Sequence, residues 1–291
     1  MKKIINMQRI YSFQNTHSIL YVIATPIGNL KEFSPRALES ITQSDFVACE
    51  DTRTTGKLLN EFGISKPFIA CHEHNEEQAS NKIIDLLLQG KIISLTSDAG
   101  YPGISDPGSR LIKKAIENHI PVSIVNGSCA FLPGLIASGL NTDHFYFHGF
   151  LKSKSSERRK ELEHIKSYEM TIIFYEAPHR IKETLKDIYD IFGNRKISIA
   201  REISKIYEEY IRGTLEEVLQ IDEISLKGEM VLVLEGNNLN HKTISQDELI
   251  KIINKRLKDK TISKKDLSRE LAEIYNLKKN EVYQLIINCD K

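Results

Sequence analysis

Ser97-Asp-Ala-Gly-Tyr-Pro-Gly-Ile-Ser-Asp-Pro-Gly108 is the stretch on which the fold turns. The apolar run Lys91-Ile-Ile-Ser-Leu-Thr96 leads into it, and a helical pattern from Ser109 to Asn118 leads out. The order is strand, turn, helix. Such loops in α/β units usually take only about 2–6 residues, so a longer turn this dense in Gly and Pro does more than connect. Open parallel sheets take ligands beyond the carboxyl ends of their strands. The backbone amides here, together with Asp98, therefore predict the floor of a small-molecule pocket.

The flanking sequence repeats the same order. Ile19-Leu-Tyr-Val-Ile-Ala24 is a continuous apolar run, as in a strand buried on both faces, and ends in the turn Thr25-Pro-Ile-Gly-Asn-Leu30. Ser34-Pro35 sets an N-cap serine before an N1 proline and opens a helix. Asp45-Phe-Val-Ala-Cys49 reads as a second strand, running into Glu50-Asp-Thr-Arg53 and a helix closed by Gly63. Pro67-Phe-Ile-Ala70 is a third, followed by Cys71-His-Glu-His-Asn75, with Asn75 expected to cap a helix over 76–89. After the glycine-rich turn and its helix, Pro121-Val-Ser-Ile-Val125 is a fifth strand, ending in Asn126-Gly-Ser-Cys-Ala. This alternation predicts an α/β unit with a parallel, doubly wound sheet over 18–140, behind an N-terminal extension 1–17 of no clear period.

From 141 to 237 the pattern changes. Strands are expected at 145–150, 170–175, 196–200, 205–212 and 229–235, and helices at 155–167, at 178–192 with Pro178 at N1, and at 214–221. Strands that follow one another after short turns predict a mixed sheet and an α+β second domain. A polar stretch then opens a helical appendage, 238–291. Its signals are the capping box Ser245-Gln-Asp-Glu248, a weaker one at Ser263 to Asp266, and an expected cap at Asn280.

The chain has 291 residues, with 40 basic and 39 acidic side chains, so affinity for nucleic acid has to come from local patches rather than bulk charge. Two patches qualify. One is the run Lys152, Lys154, Arg158, Arg159, Lys160; the other is the appendage, with Lys251, Lys255, Arg256, Lys258, Lys260, Lys264, Lys265, Lys278 and Lys279. Each can equally be a solvated helix face, and Glu157, Glu161 and Glu163 partly neutralise the first. The four cysteines are scattered without a C-x-x-C pair, which fits reduced thiols in a cytoplasmic protein. No stretch is apolar enough to span a membrane, and the N-terminus is a poor signal peptide.

Among chemical candidates, Cys71-His72-x-His74 carries metal-ligand types, but its spacing matches no zinc pattern and no metal is expected. Walker, G-x-G-x-x-G and G-x-S-x-G patterns are all missing. What remains is convergence: charged and polar residues follow three strands, at 50–53, 72–75 and 97–106, where a parallel sheet would gather them into one site.

Taken together, Ala24-Thr-Pro-Ile-Gly-Asn-Leu30, Glu50-Asp-Thr-Arg53, His72-x-His-Asn-Glu76, the 97–108 turn, Phe174-Tyr-Glu-x-x-His-Arg180, Ala200-Arg-Glu202 and Lys227-Gly-Glu-Met230 resemble the ribosomal RNA small subunit methyltransferase I family, in the tetrapyrrole-methylase (class III) superfamily. The resemblance covers about residues 19–236 in order. It implies a two-domain tetrapyrrole-methylase-like fold, S-adenosylmethionine as cofactor, and 2′-O-ribose methylation of a cytidine in the decoding region of 16S rRNA, with the 30S subunit as partner and a homodimer as the assembly. It places the cofactor against Pro26, Asp98, Ala99, Gly100, Tyr101, Ser128, Cys129, Tyr175 and Gly228. Asp51, His74 and Arg53 become the catalytic candidates, and His72 and Glu76 further possible bases. Substrate contacts are expected from Arg53, His72, Asn75, Lys152, Arg158, Arg159 and Arg180. The chain departs from the family pattern at Tyr101, where a smaller residue is usual, and at Asn126-Gly127, where Pro-Gly is usual. Two alternatives remain: a tetrapyrrole C-methyltransferase, or a non-catalytic RNA-binding or ribosome-assembly protein that kept the fold.

Overall fold

The structure is a computed structural model; residues 18–221, 228–237, 245–258, 262–275 and 277–289 are described below. The expected N-terminal extension, 1–17, lies outside the described residues, as do Lys227 and Lys260.

The first sheet contains β1 (Ile19–Ile23), β2 (Phe46–Cys49), β3 (Phe68–Ala70), β4 (Ile92–Thr96) and β5 (Val122–Val125), in the order β3-β2-β4-β1-β5. Every pairing in it is parallel. Register brings the strand ends level: Ile23 pairs with Thr96 and with Val125, and Thr96 also pairs with Cys49. The residues after them therefore emerge side by side. The helices α1 (Pro35–Gln43), α2 (Thr52–Glu61), α3 (Glu76–Leu88) and α4 (Ser109–Glu117) cover the two faces. One core gathers Leu20, Ile83 and Leu111, the other Ile23, Ile41 and Leu59, which is why these strands are apolar on both sides. As expected, the Ser34 hydroxyl accepts from Ala37 N–H at 3.1 Å with Pro35 in the first turn. Gly63 follows α2 in a left-handed conformation.

The second sheet is mixed, in the order β6-β7-β10-β8-β9. Its strands are β6 (Phe145–Phe150), β7 (Thr171–Glu176), β8 (Lys196–Arg201), β9 (Glu209–Thr214) and β10 (Met230–Leu234). Only β6 and β7 run parallel, and a register shift interrupts them between Phe147 and Gly149. Helices α6 (Ser155–Ile165), α7 (Ile181–Phe192) and α8 (Leu215–Leu219) close one face around Phe174, Leu185 and Leu232. The other face is covered by α5 (Phe131–Ser138), which the sequence assigns to the first unit. Its Leu135 packs with Ile173, Ala200 and Val231, and a Cβ on Gly134 would meet Val231 Cγ1 at 3.0 Å. The two sheets are thereby held as neighbours with a cleft between their ends.

Several local expectations need correction. Asn75 holds the N-cap position of α3 but its side chain makes no cap bond: its Oδ1 accepts from His72 N–H at 2.8 Å and its amide donates to the Ala70 carbonyl at 3.1 Å, closing the loop on itself. Asp106-Pro107 reads in the sequence as an N-cap and N1 pair, but Asp106 does not cap α4. That helix begins after Gly108, and the buried Glu76 carboxylate accepts from Gly108 N–H at 2.9 Å and Arg110 N–H at 3.0 Å instead, an anion at a helix N-terminus. Pro178 lies before α7 rather than at its N1 position, and β9 starts at Glu209 because a turn occupies 202–208. Asn280 lies inside the last helix rather than capping it.

The appendage comprises α9 (Gln246–Lys258), α10 (Lys264–Tyr275) and α11 (Lys279–Cys289) around Leu249, Ile253, Leu271 and Ile286. The Ser245–Glu248 capping box is present, with Glu248 N–H donating to Ser245 Oγ and Ser245 N–H to Glu248 Oε2, each at 3.3 Å. No described helix is long and apolar enough to cross a membrane.

Candidate active site

A cavity of about 420 Å³ lies in the cleft between the two sheets. The first unit contributes Ile27, Glu50 and the run Asp98 to Tyr101 with Ile104 to Asp106. The second contributes Phe150, Tyr175 to Pro178, Ile203 and Glu229 to Val231, while Cys129 and Ala130 close one end.

The glycine-rich turn is fixed by its neighbour. Thr25 and Gly100 exchange both backbone hydrogen bonds, at 2.9 and 3.1 Å, and Ser97 Oγ donates to the Gly100 carbonyl at 3.1 Å. Gly100 sits at φ 79°, a left-handed conformation that costs glycine nothing. Asp98 Oδ1 accepts from Asp51 N–H at 3.3 Å and Glu50 accepts from the Asp98 backbone, so the ends of β2 and β4 are tied reciprocally.

The electrostatics of the wall are one-sided. Glu50, Asp98, Asp106, Glu176 and Glu229 line it, and no lysine or arginine does among the described residues. Burial, reinforced by its anionic neighbours, raises the pKa of Glu50 and of Asp98. Asp106 is pushed up to about 6, chiefly by burial and next by Glu50. Burial also raises the Tyr175 phenol, which is hydrogen-bonded to the Phe131 backbone and whose ring lies 5.0 Å from that of Phe147.

Of the residues expected to hold a cofactor, Asp98, Ala99, Gly100, Tyr101, Cys129 and Tyr175 are in the wall. Pro26 is represented there by its neighbour Ile27, and Ser128 turns away to donate to Glu32 Oε2 at 2.8 Å. Gly228 lies beneath Glu202 rather than in the wall. A Cβ at Gly228 would fall inside the Glu202 carboxyl group, and one at Gly28 inside the Lys205 side chain. Lys205 Nζ reaches Glu202 at 3.0 Å and Glu229 at 3.4 Å. Three separated glycine- and glutamate-bearing motifs thus meet in a clasp between the two units at the cavity rim. Glu202 and Ser204 on either side of Ile203 hold left-handed backbone, a strain that persists only when the surroundings impose it.

The two departures from the family pattern turn out to be one contact. The Tyr101 hydroxyl accepts from Gly127 N–H at 3.1 Å and reaches Asn126 Oδ1 at 3.5 Å, bridging the loops after β4 and β5.

The catalytic candidates are arranged less favourably. Asp51 caps α2 through Arg53 N–H at 2.8 Å and is gripped by the Arg53 guanidinium at 2.7 and 3.1 Å, which holds its carboxyl down to about 2. A carboxylate so engaged is a weak base. His72 and His74 lie outside the cavity wall, ring centroids 6.2 Å apart, and Glu76 is spent on α4. No described group of three or more His, Cys, Asp or Glu is placed to hold a metal. Burial pushes the Cys71 thiol up to about 11.

The basic run divides. Lys152 and Lys160 are exposed, but Arg158 is 1% exposed and donates to Asp187 at 2.7 Å and to the Ser153 carbonyl at 3.0 Å. Arg159 pairs with Asp187 and Asp190 at 2.8 and 3.0 Å, and Arg180 with the buried Glu176 at 2.6 Å. As phosphate contacts, these three arginines are corrected by their partners: they pin α6 to α7 and α7 to β7. Of the other wall residues, Glu50 and Asp106 belong to the charged stretches 50–53 and 97–106 that the sequence gathers at one site, and Glu229 to the 227–230 motif, while Phe150 and Ile203 were not singled out from sequence.

A model of the tetrapyrrole (corrin/porphyrin) methylases matches residues 19–219. The chain is 47% identical to the ribosomal RNA small subunit methyltransferase I of Halalkalibacterium halodurans, over 79% of this chain and 80% of that protein. It is 42% identical to the protein of that name from Bacillus subtilis, over 95% of this chain and 96% of the other. Among solved structures, the methyltransferase CobJ superposes with TM-score 0.56 at 14% identity, covering 79% of this chain and 98% of that one. Uroporphyrin-III-C-methyltransferase from Thermus thermophilus gives 0.52 at 15% identity, over 75% and 94%. At such identities these two likenesses speak for the fold alone.

Proposed function

Since the chain belongs to the ribosomal RNA small subunit methyltransferase I family, within the tetrapyrrole methylases, we propose that it transfers a methyl group from S-adenosylmethionine to the 2′-oxygen of a cytidine in the decoding region of 16S rRNA. The observation that carries the cofactor reading is the carboxylate-lined cavity, whose wall holds no lysine or arginine among the described residues. Its volume is in the range of small-molecule sites, about 300–1,000 Å³. A sulfonium and an ammonium are favoured where carboxylates face a partly desolvated space. Ile27, Ile104, Phe150, Tyr175, Ile203 and Val231 offer the apolar surface that an adenine ring needs.

When bound, the cofactor supplies an electrophilic methyl group. Asp98 is suited to accept hydrogen bonds from its hydroxyl or amino groups, held in place by the Asp51 backbone. The Thr25–Gly100 bridge fixes the first unit's wall, and Lys205, paired with Glu202 and lying over Gly28, ties the second unit to the first, which favours a fixed alignment of cofactor and acceptor. Arg53, with its side chain 85% exposed beside the cavity, is suited to an RNA phosphate. Lys152, Lys160 and the exposed lysines of the appendage extend that path. The partner is the 30S subunit, the compartment the cytoplasm and the assembly a homodimer.

The test is incubation with labelled S-adenosylmethionine and 30S subunits lacking the modification. Label is expected in 16S rRNA. Label appearing instead in an added tetrapyrrole, or no transfer to RNA by protein that binds the cofactor, would contradict the reading.

A further inference from the structure

Methylation of a hydroxyl releases a proton, and the residues first expected to take it are unsuited: Asp51 is gripped by Arg53, and His72, His74 and Glu76 stand outside the wall. The wall itself offers Glu50, Asp98, Asp106, Glu176 and Glu229. Glu176 is committed to Arg180 and to the Thr184 hydroxyl at 2.6 Å. Glu229 is 77% exposed and faces Lys205. Glu50 and Asp98 accept backbone N–H groups from one another's loops. Asp106 differs from all four. The hydroxyl beside it, that of Ser97, donates to the Gly100 carbonyl, and among the described residues Asp106 has no cation within ion-pair distance.

Its position is also imposed. Ser105 is held at φ 62°, a left-handed conformation unusual for a serine, immediately before Asp106. The Ser105 hydroxyl packs against Gly149 at the bulge of β6: a Cβ there would meet it at 3.3 Å. The turn thus touches the second unit and carries Asp106 into the cleft where both units meet.

We propose that Asp106 is the general base of the reaction, the group that accepts the proton of the RNA hydroxyl as the methyl is transferred; this rests on the methyltransferase reading above. The acceptor's O–H bond breaks with its proton passing to an Asp106 oxygen, the new O–CH₃ bond forms, and the old S–CH₃ bond leaves its electron pair on sulfur. A cation and a carboxylate become a neutral thioether and a neutral acid, so charge balances. The groups facing Asp106 are Ser97 and Asp98 on its own loop, Glu50 after β2, Tyr175 on β7 and Glu229 beside β10. The anionic ones all favour proton uptake. Burial and Glu50 hold the carboxyl at about 6, close enough to neutrality for a base that must be both ionised and basic.

The experiment compares wild type with Asp106→Asn and Asp106→Glu on unmethylated 30S subunits, with cofactor affinity by calorimetry and a carbon-13 NMR titration of the Asp106 carboxyl in the wild-type protein. The NMR titration is expected near pH 6, and wild-type kcat should fall on the acid side with the same midpoint. Asp106→Asn should bind the cofactor within about threefold of wild type, lose about 10²–10⁴ in kcat and lose the acid limb; Asp106→Glu should recover part of the rate. An acid limb unchanged in Asp106→Asn, a rate loss under tenfold, a carboxyl titrating in the ordinary range, or loss of cofactor affinity would each overturn the assignment, the last making Asp106 a cofactor anchor. Failure of the wild type to methylate RNA would instead overturn the underlying reading, and the base assignment with it.

Discussion

At the scale of single residues, carboxylates differ by what they are tied to. Asp98 is in the wall and Arg53 is beside it, so their variants should separate binding from transfer. Asp98→Ala is expected to raise the cofactor Kd more than tenfold in calorimetry, whereas Arg53→Ala should leave Kd within twofold and reduce transfer to 30S subunits about tenfold or more. Asp106 also has a signature in stability. Its folded pKa of about 6 is above the ordinary value of 3.8, so its contribution is fully present at low pH and is lost as pH rises through 6. Asp106→Asn should therefore be more stable than wild type at pH 7.5, on the order of 1 kcal/mol after solvent screening, and gain nothing at pH 4. Thermal melts at the two pH values check this. The role of Asp106 was not legible because Asp-Pro before a helical pattern reads as a cap; the true cap, Glu76, is on another helix, 32 residues before Gly108.

At the scale of elements, legibility followed burial. Strands β1, β4, β7 and β10 lie buried within their sheets, so unbroken apolar runs marked them to within about a residue. The parallel sheet also made the site legible in outline, because level strand ends bring Asp51, Asp98 and Gly100 together whatever their separation in sequence. The 202–208 turn was not legible. Its left-handed residues are Glu202 and Ser204 rather than glycines, and the glycines that leave room for its side chains, Gly28 for Lys205 and Gly228 for Glu202, lie far along the chain. That clasp gives a test at its own scale. Gly228→Ala should destabilise the protein by roughly 2–4 kcal/mol in urea melts through overpacking and strain, and should cost less when Glu202 is first shortened to Ala. Equal costs in both backgrounds would mean that Glu202 does not occupy the space. Arg158 misled the sequence reading for a similar reason: Asp187, which neutralises it, sits on the neighbouring helix.

At the scale of the molecule, two differently built sheets share one cleft. The acidic wall suits a cationic methyl donor, while the exposed basic residues lie outside it on Arg53, α6 and the appendage. Binding to 16S rRNA should accordingly weaken with salt, and charge reversal at Lys251 and Lys255 should flatten the dependence of log K on log salt by about 0.7–0.9 per lost phosphate contact. Filter binding with an unchanged slope would remove the appendage from the RNA path. The central claim, that the cleft methylates a cytidine ribose, is tested most directly by nucleoside mass spectrometry of 16S rRNA from 30S subunits treated with wild-type protein or Asp98→Ala. Wild type should yield 2′-O-methylcytidine and the variant none; methylation on a base, or equal 2′-O-methylcytidine from both proteins, would contradict the account.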